Sequence, residues 1–300
     1  MELDNYLRRI KDKNKLYLVT NKELLVLLNE AYHEIKLSIK AKRFLDEEKI
    51  SKSVFTEILK GNILPSLYLI ERIEKRLNIN LLDNVYRSIT HIRGKTNSTK
   101  IKIPKRIDND LAYLLGALRD GSLVQYSYVY EVEFSQKQKE WLENAITPKL
   151  MSTFGVNTKV IKRKDKTYVI RKRSIALFKI LNHFTNFSKT KYKHTPRIIL
   201  NLPFNLQKYY IAGFYDAEGN KNPKDITFYQ QWKNNNNCPP LKDIQIMLKK
   251  VGINSYFRIK QQNNAFLYDL HVKGKSRKRF LELIPIEHPV FLDRLSNSRL

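Results

Sequence analysis

Apolar residues recur at helical spacing through the first ninety positions of the chain. Asn21 can cap the first predicted helix, and Pro65-Ser66 can open the last. Ser51 is a plausible N-cap and Gly61 a plausible stop for a short helix between them. This pattern predicts helices over about 21–36, 38–49, 51–60 and 67–77.

The short helix is amphipathic. Its inward face is predicted to carry Val54, Ile58 and Phe55. Four polar residues are predicted to stay outside: Lys52, Ser53, Thr56 and Lys60.

The run from Ile50 to Ile79 resembles the repressor-like helix-turn-helix family, with a Ser/Thr-rich helix, a Gly-Asn turn and a Pro-Ser helix start. The resemblance implies that the 51–60 helix enters the major groove of DNA through its four outward residues. The alternative is a plain helical bundle that makes no DNA contact.

A polar, basic stretch follows the helices. Residues 91–106 carry Gly, Ser, Thr and Pro among their cations, which is typical of a linker. We therefore predict a helical DNA-binding domain over 1–90, a basic linker over 91–106 and a second domain over 107–300.

The second domain contains a weak internal duplication. Two apolar helices each end in an acid and a glycine, and the acids Asp120 and Glu218 are 98 positions apart. Three further matches follow in the same order at offsets of 94, 97 and 102. Two repeats, about 107–200 and 203–300, are each predicted to run helix, strand pair, helix, strand pair, helix.

Small residues line one face of each acid-ended helix: Ala112 and Gly116 in the first, Gly213 and Ala217 in the second. Small faces let two helix backbones approach closely. If the helices pack together, Asp120 and Glu218 meet at their C-terminal ends, where the helix dipoles disfavour negative charge. A divalent cation between the carboxylates would relieve this repulsion, and oxygen ligands favour Mg²⁺.

The chain is strongly basic. Its 56 Lys+Arg and 29 Asp+Glu residues give a formal charge of +27, of which +7 lies in residues 1–100 and +20 in residues 101–300. Such an excess is typically offset by a polyanion, with nucleic acid as the first candidate and an anionic membrane surface as the second. Paired acids with Mg²⁺ on a basic surface suggest phosphodiester hydrolysis.

At this point a second resemblance becomes specific. The segments LLGALRDGS (114–122) and IAGFYDAEGN (211–220) resemble the two signatures of the LAGLIDADG (DOD-type) homing endonucleases in their single-chain form. The resemblance covers roughly residues 107–297. It implies an α+β fold, in which two pseudo-symmetric αββαββα repeats form a DNA-binding saddle behind the all-α helix-turn-helix domain.

The family's site residues transfer to matching positions. The resemblance implies that Asp120 and Glu218 hold Mg²⁺ (or Mn²⁺), with Gly121 and Gly219 beside them as metal positions. It implies that strand glutamines near the metals correspond to Gln136 and Gln230. It also implies that water-polarising or charge-neutralising lysines correspond to Lys137 and Lys221. The alternative is that these last four are ordinary solvent-facing residues.

The first motif is one residue short. Gly116 and Gly121 are five apart, whereas Gly213 and Gly219 are six apart. Aligning the acids pairs Asp120 with Glu218. Aligning the upstream glycines instead moves Asp120 off the metal-binding position and puts cleavage in doubt.

Clustered cations predict the DNA-contacting strands. They recur in both repeats with few acids nearby, and phosphate contacts would come from Lys and Arg. Alternation further predicts that Tyr256, Arg258 and Lys260 share one strand face, opposite Phe257 and Ile259. The predicted contacts are Lys159, Lys162, Arg163, Lys164, Arg171, Arg173, Arg258, Lys260, Lys273 and Lys275.

The leading hypothesis is a monomeric, metal-dependent, site-specific double-strand DNA endonuclease. The rival is a non-cleaving, DNA-binding transcriptional regulator built on a degenerate copy of the same fold, and RNA binding is a more distant possibility. The Asn-rich stretch 234–237 is predicted to be a loop.

Several other classes are excluded. No apolar run approaches the roughly 20 residues of a membrane helix, so no membrane partner is expected. Cys238 is the single cysteine, which excludes an intrachain disulfide and a Cys-rich zinc site. The expected location is the cytoplasm, in association with the nucleoid.

Overall fold

The computed structural model describes residues 6–10, 13–38, 41–94, 98–189, 193–233, 237–262 and 265–297. The chain divides into two compact units. One comprises Leu3–Lys105 with Ser174–Ile180, and the other comprises Arg106–Arg173 with Leu181–Leu300. In the described part of the chain, no helix is both long and apolar enough to cross a membrane.

The first unit is a helical bundle with a small sheet. Its helices are α1 (Lys22–Ser38), α2 (Ala41–Glu47), α3 (Lys52–Leu59), α4 (Leu67–Leu77) and α5 (Leu81–Ser88). Two 3₁₀ turns, Tyr6–Arg9 and Lys13–Lys15, precede them. Three short antiparallel strands complete the unit: β1 (Tyr17–Leu18), β2 (His91–Arg93) and β3 (Ile101–Lys102).

Capping side chains set the start of α3 and α4. Ser51 Oγ accepts the Val54 N–H at 3.2 Å, and Ser66 Oγ accepts the Leu69 N–H at 3.1 Å. Phe55 and Ile58 are buried, as the pattern predicts. Val54 is instead 40% exposed, because burial on this two-turn helix is limited to one narrow stripe.

The stretch 91–106 differs from the predicted linker. Strands β2 and β3 lie within it and pair with each other. The reason is that Ile92, Ile101 and Ile103 are buried between polar neighbours, which is a strand pattern. Lys100 and Lys102 are exposed beside these buried isoleucines.

The first repeat follows in chain order. Helix α6 (Asn109–Ala117) leads into strands β4 (Ser122–Tyr126) and β5 (Val129–Gln136). A continuous helical stretch then combines α7 (Lys139–Trp141), a π-helical turn (Leu142–Ile146) and α8 (Thr147–Phe154). The repeat closes with β6 (Val160–Lys162), β7 (Tyr168–Arg173), α9 (Ile175–Thr185) and a 3₁₀ turn (Phe187–Lys189).

The second repeat follows the short helix α10 (Arg197–Leu200) and has one strand fewer among the described residues. Its elements are α11 (Phe204–Glu218), β8 (Thr227–Trp232), α12 (Pro239–Lys249), β9 (Ser255–Gln262), β10 (Ala265–Val272), a 3₁₀ turn (Gly274–Ser276), α13 (Arg277–Leu283) and α14 (Pro289–Ser296). Only an isolated bridge, Gly219 to Phe228, stands where the first predicted strand pair should begin. The seven residues between Gly219 and Thr227 include Pro223 and are too few for a second strand. Residues 234–236 of the predicted Asn-rich loop lie outside the described residues.

The two sheets share one topology apart from that strand. Their orders are β4-β5-β7-β6 and β8-β10-β9. Gln136 on β5 pairs with Tyr168, and Gln230 on β8 pairs with Tyr268. The cores lie where inward strand residues such as Phe134 and Phe228 are covered by helices. The α+β fold class predicted from the sequence is confirmed, with the second repeat one strand shorter among the described residues. The first unit, predicted to be all-α, also contains the small β1-β2-β3 sheet.

Candidate active site

Helices α6 and α11 touch backbone to backbone. A Cβ at Gly116 would lie 2.2 Å from the Tyr210 carbonyl oxygen, and a Cβ at Gly213 would lie 2.1 Å from that of Tyr113. No real Cβ tolerates such distances, so both positions require glycine. Ala112 and Ala217, the other two small residues of the predicted interface, are also buried.

These contacts locate the residue that the first motif lacks. Gly116 with Tyr113 mirrors Gly213 with Tyr210, an offset of 97. Helix α6 ends at Ala117 and is followed by a turn that contains Asp120, whereas α11 continues to Glu218. The helix bodies therefore correspond at an offset of 97, while the acids lie 98 apart. The one residue that the first motif lacks is therefore missing from the turn that follows α6.

A half-buried lysine binds the carbonyl oxygens at each helix end. Lys193 Nζ donates to the carbonyl oxygens of Leu118 at 3.1 Å and Arg119 at 2.6 Å, and also to that of Gly121. Ammonium groups suit the negative pole of a helix.

Lys221 makes the corresponding contacts at the other helix end. Its Nζ donates to the carbonyl oxygens of Tyr215, Asp216 and Gly219 at 3.1, 2.9 and 2.8 Å. In chain order, the Leu118 and Arg119 carbonyls correspond to those of Tyr215 and Asp216 at an offset of 97, whereas the Gly121 and Gly219 carbonyls correspond at an offset of 98. The two helix ends match in the way that pairs Asp120 with Glu218.

Both acids have raised pKa values. Crowding of its carboxyl group by protein, followed by the charge on Glu218, raises the pKa of Asp120 to about 7, although the residue as a whole remains accessible to solvent. Burial also raises the pKa of Glu218, and the cations Arg119, Lys193 and Lys221 oppose that rise. Burial lowers the pKa of Lys193 and of Lys221 to about 8.

The strand glutamines reach the helix ends crosswise. Gln136, on the first sheet, donates from Nε2 to the carbonyl of Ala217 at 3.5 Å, next to Glu218. Gln230, on the second sheet, accepts from an Arg119 guanidinium nitrogen at 2.6 Å, next to Asp120. Lys137 is exposed, and its backbone N–H, rather than its ammonium, contacts Gln136.

Corresponding positions of the two motifs carry opposite buried charges. Asp216 in α11 accepts from the Tyr113 hydroxyl at 2.5 Å and from the Glu287 N–H at 2.8 Å, and burial raises its pKa to about 7. At the offset of 97 its counterpart is Arg119, whose guanidinium lies over the Phe214 ring. An acid in one half is therefore replaced by a base in the other.

Sequence reasoning missed Lys193 and Arg119. Lys193 lies more than seventy positions beyond the helix that it closes, so no local spacing indicates it. Arg119 was visible as a departure from the second motif, because it lies one position before the acid where that motif has an alanine. That departure was the available signal.

The residues present fit a hard divalent cation. Asp120 and Glu218 supply carboxylate oxygens, without thiolate or imidazole, and burial followed by the charge on Glu218 raises the pKa of Asp120. Among the described residues, no group of three or more His, Cys, Asp or Glu side chains could hold a metal. The Gly121 and Gly219 carbonyl oxygens already accept hydrogen bonds from lysine ammonium groups, so a metal there would have to share these oxygens with the lysines.

The cationic strands of the first sheet contain acids, contrary to the sequence-based expectation. Glu133 and Glu131 lie on β5 opposite Arg171 and Arg173 of β7. The strands alternate, so these four side chains share the face that points away from the helices. Lys159, Lys162 and Lys164, around the β6–β7 hairpin, are exposed.

The second sheet also presents cations on its open face. Tyr256, Arg258 and Lys260 are exposed on alternate positions of β9. Of the two residues assigned to the opposite face, Phe257 is half-buried, whereas Ile259 is 48% exposed because it lies towards the end of the hairpin. Lys273 and Lys275, beyond β10, are exposed as well.

The paired helices, the twin sheets and the two carboxylates define a class: single chains in which two αβ repeats meet through glycine-packed helices that end in acids. Residues 205–285 match the family model described as a LAGLIDADG-like domain. The chain is 38% identical over 151 residues to homing endonuclease I-ApeI of Aeropyrum pernix, which covers 48% of this chain and 66% of that protein. Over these segments the chain is therefore similar to the LAGLIDADG family.

Two other similarities are more distant. The chain is 23% identical over 196 residues to an A-type ATP synthase component of Methanopyrus kandleri, covering 65% of this chain and 18% of that protein. The chain therefore spans just under two thirds of the first relative's length and much less of the second's. A crystal structure of I-DmoI in complex with DNA and Mn matches with 23% identity and a TM-score of 0.48, over 61% of this chain and 99% of that one.

Proposed function

We propose that the protein is a site-specific double-strand DNA endonuclease that hydrolyses one phosphodiester bond on each strand. The observation that carries the proposal is the junction of α6 and α11, where two carboxylates of raised pKa meet between two lysine-closed helix ends. The chain around it is highly cationic, with a formal charge of +27. Its relative from Aeropyrum pernix is named a homing endonuclease.

In this proposal Asp120 and Glu218 hold divalent metal, with Mg²⁺ as the natural ion. A divalent metal supplies charge neutralisation at the phosphate and lowers the pKa of bound water. Lys193 and Lys221 act as positioning residues, because each holds three carbonyls at the end of one helix and so orients the acid there. Gln136 and Gln230 brace the junction from the two sheets. Lys137, which is exposed, is available to the DNA backbone.

One chain carries both repeats, so two strand-cleaving centres need no partner subunit and the protein acts as a monomer. The open faces of the two sheets supply the phosphate and base contacts through their Lys and Arg residues. Helix α3 adds a further contact through Lys52, Ser53, Thr56 and Lys60, all of which are exposed.

The test is cleavage of a duplex library. A library of random duplexes is incubated with the protein in Mg²⁺, in Mn²⁺ and in EDTA, and cut ends are sequenced. The proposal expects cleavage at one sequence on both strands with either metal and none in EDTA. Selective binding without any cut product in Mg²⁺ would instead establish the non-cleaving regulator. Its supporting features are the shortened first motif and the helix-turn-helix-like run Ile50–Ile79, which contains α3 and α4.

Two substitutions test the acids. Asp120→Asn and Glu218→Gln should each reduce cleavage by at least about 10³-fold while leaving DNA affinity nearly unchanged, because they remove metal ligands rather than DNA contacts. Asp293→Asn, which removes an acid from α14, is the matched control. Full cleavage by Asp120→Asn would show that the first motif does not hold metal.

A further inference from the structure

An ion-pair network covers the open face of the first sheet. Glu131 and Glu133 lie two positions apart on one face of β5, and their side chains are only 12% exposed. Arg171 bridges them, at 3.0 Å from Glu131 and 2.8 Å from Glu133. Arg173 binds Glu131 at 3.2 Å, and Arg163, from the β6–β7 hairpin, binds Glu133 at 2.5 Å.

The network places negative charge where DNA binding alone would favour none. Three guanidinium groups surround two carboxylates, so the patch keeps a net charge of only about +1. Any phosphate that approaches Arg171 must compete with carboxylates that are already in place. The second sheet repeats this pattern, since Lys260 lies 3.3 Å from the nearly buried carboxylate of Asp269.

We propose that Glu131 and Glu133 are specificity-determining residues that suppress binding to non-target DNA. The inference rests on the proposed function, because it assumes that this face meets a duplex. A chain with a +27 charge binds any duplex through phosphate contacts alone, and competing sites far outnumber the target. The two acids reduce that sequence-independent attraction.

The same acids preserve the contacts that read sequence. Guanidinium has five N–H donors, and carboxylate pairing uses only some of them. Arg173 is 72% exposed in its side chain and Arg171 is 42% exposed, so each keeps donors that point to solvent. A guanidinium held in one orientation loses less entropy when it binds a base edge such as guanine O6 and N7. Binding to the target therefore keeps the base contacts of these arginines, whereas binding to random DNA loses phosphate contacts.

The experiment compares two duplexes for each variant. One is the duplex enriched by the wild-type protein from a random library, and the other is a scrambled duplex of equal length. Dissociation constants are measured by fluorescence anisotropy from 50 to 300 mM KCl, with Ca²⁺ in place of Mg²⁺. The variants are Glu131→Gln, Glu133→Gln and the double substitution.

We expect the double variant to bind the scrambled duplex roughly threefold to tenfold more tightly at 150 mM salt, with a salt slope steeper by about 0.9 for each freed cation. Its affinity for the enriched duplex should change less, so the ratio of the affinity for the enriched duplex to that for the scrambled duplex falls. Glu143→Gln is the matched control, because it removes the same charge from an exposed helical pair with Lys139.

Two outcomes would overturn the inference. In the first, Glu143→Gln tightens binding to the scrambled duplex as much as Glu133→Gln does, which would mean that net charge alone is responsible. In the second, the double variant keeps the wild-type ratio or binds both duplexes more weakly. Glu133→Asp, which keeps the charge at a shorter reach, provides a second folded variant and should keep the wild-type salt slope. Absence of any enriched duplex for the wild-type protein would refute the proposed function itself.

Discussion

Arg119 and Asp216 show how far the two motifs have diverged at single positions. Each is buried at the same place relative to the helix contact, yet one carries a positive charge and the other a carboxyl group. Burial is the largest cause of the pKa shifts of Lys193, Glu218 and Lys221; the charge of Arg119 adds to the lowering at Lys193 and opposes the rise at Glu218, whereas Asp216 opposes the lowering at Lys221. The two helix ends therefore differ in charge although their backbones correspond.

Lys193 gives the first prediction at the residue scale. Lys193→Met should slow single-turnover cleavage by about 10²-fold, because the carbonyls next to Asp120 lose their shared donor and the acid shifts. Lys137→Met, at an exposed lysine, is the comparison and should have a smaller effect. Cleavage is followed on an end-labelled duplex. Equal rates for the Lys193 variant and the wild-type protein would contradict the positioning role.

His288 gives a prediction about acid stability. Its ring is buried against Trp141, and burial lowers its pKa to about 3. The unfolded histidine, with a pKa near 6.5, binds a proton first, so this contribution to stability is complete above pH 6.5 and is lost as the pH falls towards 3. Between pH 6.5 and 5 the wild-type protein should lose about 2 kcal/mol through this residue.

His288→Phe keeps an aromatic ring against Trp141 but cannot take up a proton. Urea unfolding at pH 6.5 and pH 5 should therefore show a smaller loss of stability in the variant than in the wild-type protein. Identical losses in the two proteins would show that the buried ring is not a source of acid sensitivity.

At the scale of elements, the contact between α6 and α11 governs the second unit. Gly213→Ala places a Cβ 2.1 Å from the Tyr113 carbonyl, so the helices must separate. We expect a loss of about 1–3 kcal/mol in the free energy of unfolding, measured by urea denaturation. Gly274→Ala, whose new Cβ would have only the end of the Arg277 side chain nearby, at 3.6 Å, should be close to neutral.

The elements also show what sequence could predict. Helices α3 and α4 were predictable because Ser51 and Ser66 are local caps, and the duplication was predictable because motif spacing repeats. The missing strand before β8 and the acids paired with Arg171 were not foreseen. Both depend on how distant segments pair, since Glu133 and Arg171 lie 38 positions apart and meet only through the β5–β7 register.

At the scale of the whole molecule, charge sets the dependence of DNA binding on salt. If α3 contacts phosphates, the double substitution Lys52→Gln and Lys60→Gln should flatten the slope of log affinity against log salt by up to about 1.8. Lys75→Gln, on α4 and paired with Glu71, is the matched control. An unchanged slope in the double variant would remove α3 from the DNA footprint.

The glycine contact between the motif helices has a consequence outside the protein. Because two backbones touch there, the spacing between the ends of α6 and α11 has almost no freedom. Under the proposed function that spacing is imposed on the substrate as the distance between the two cut phosphates, and hence as the length of the single-stranded overhang. Substitutions on the sheets can change which sequence is cut, but the length of the overhang is set by the helix contact at Gly116 and Gly213.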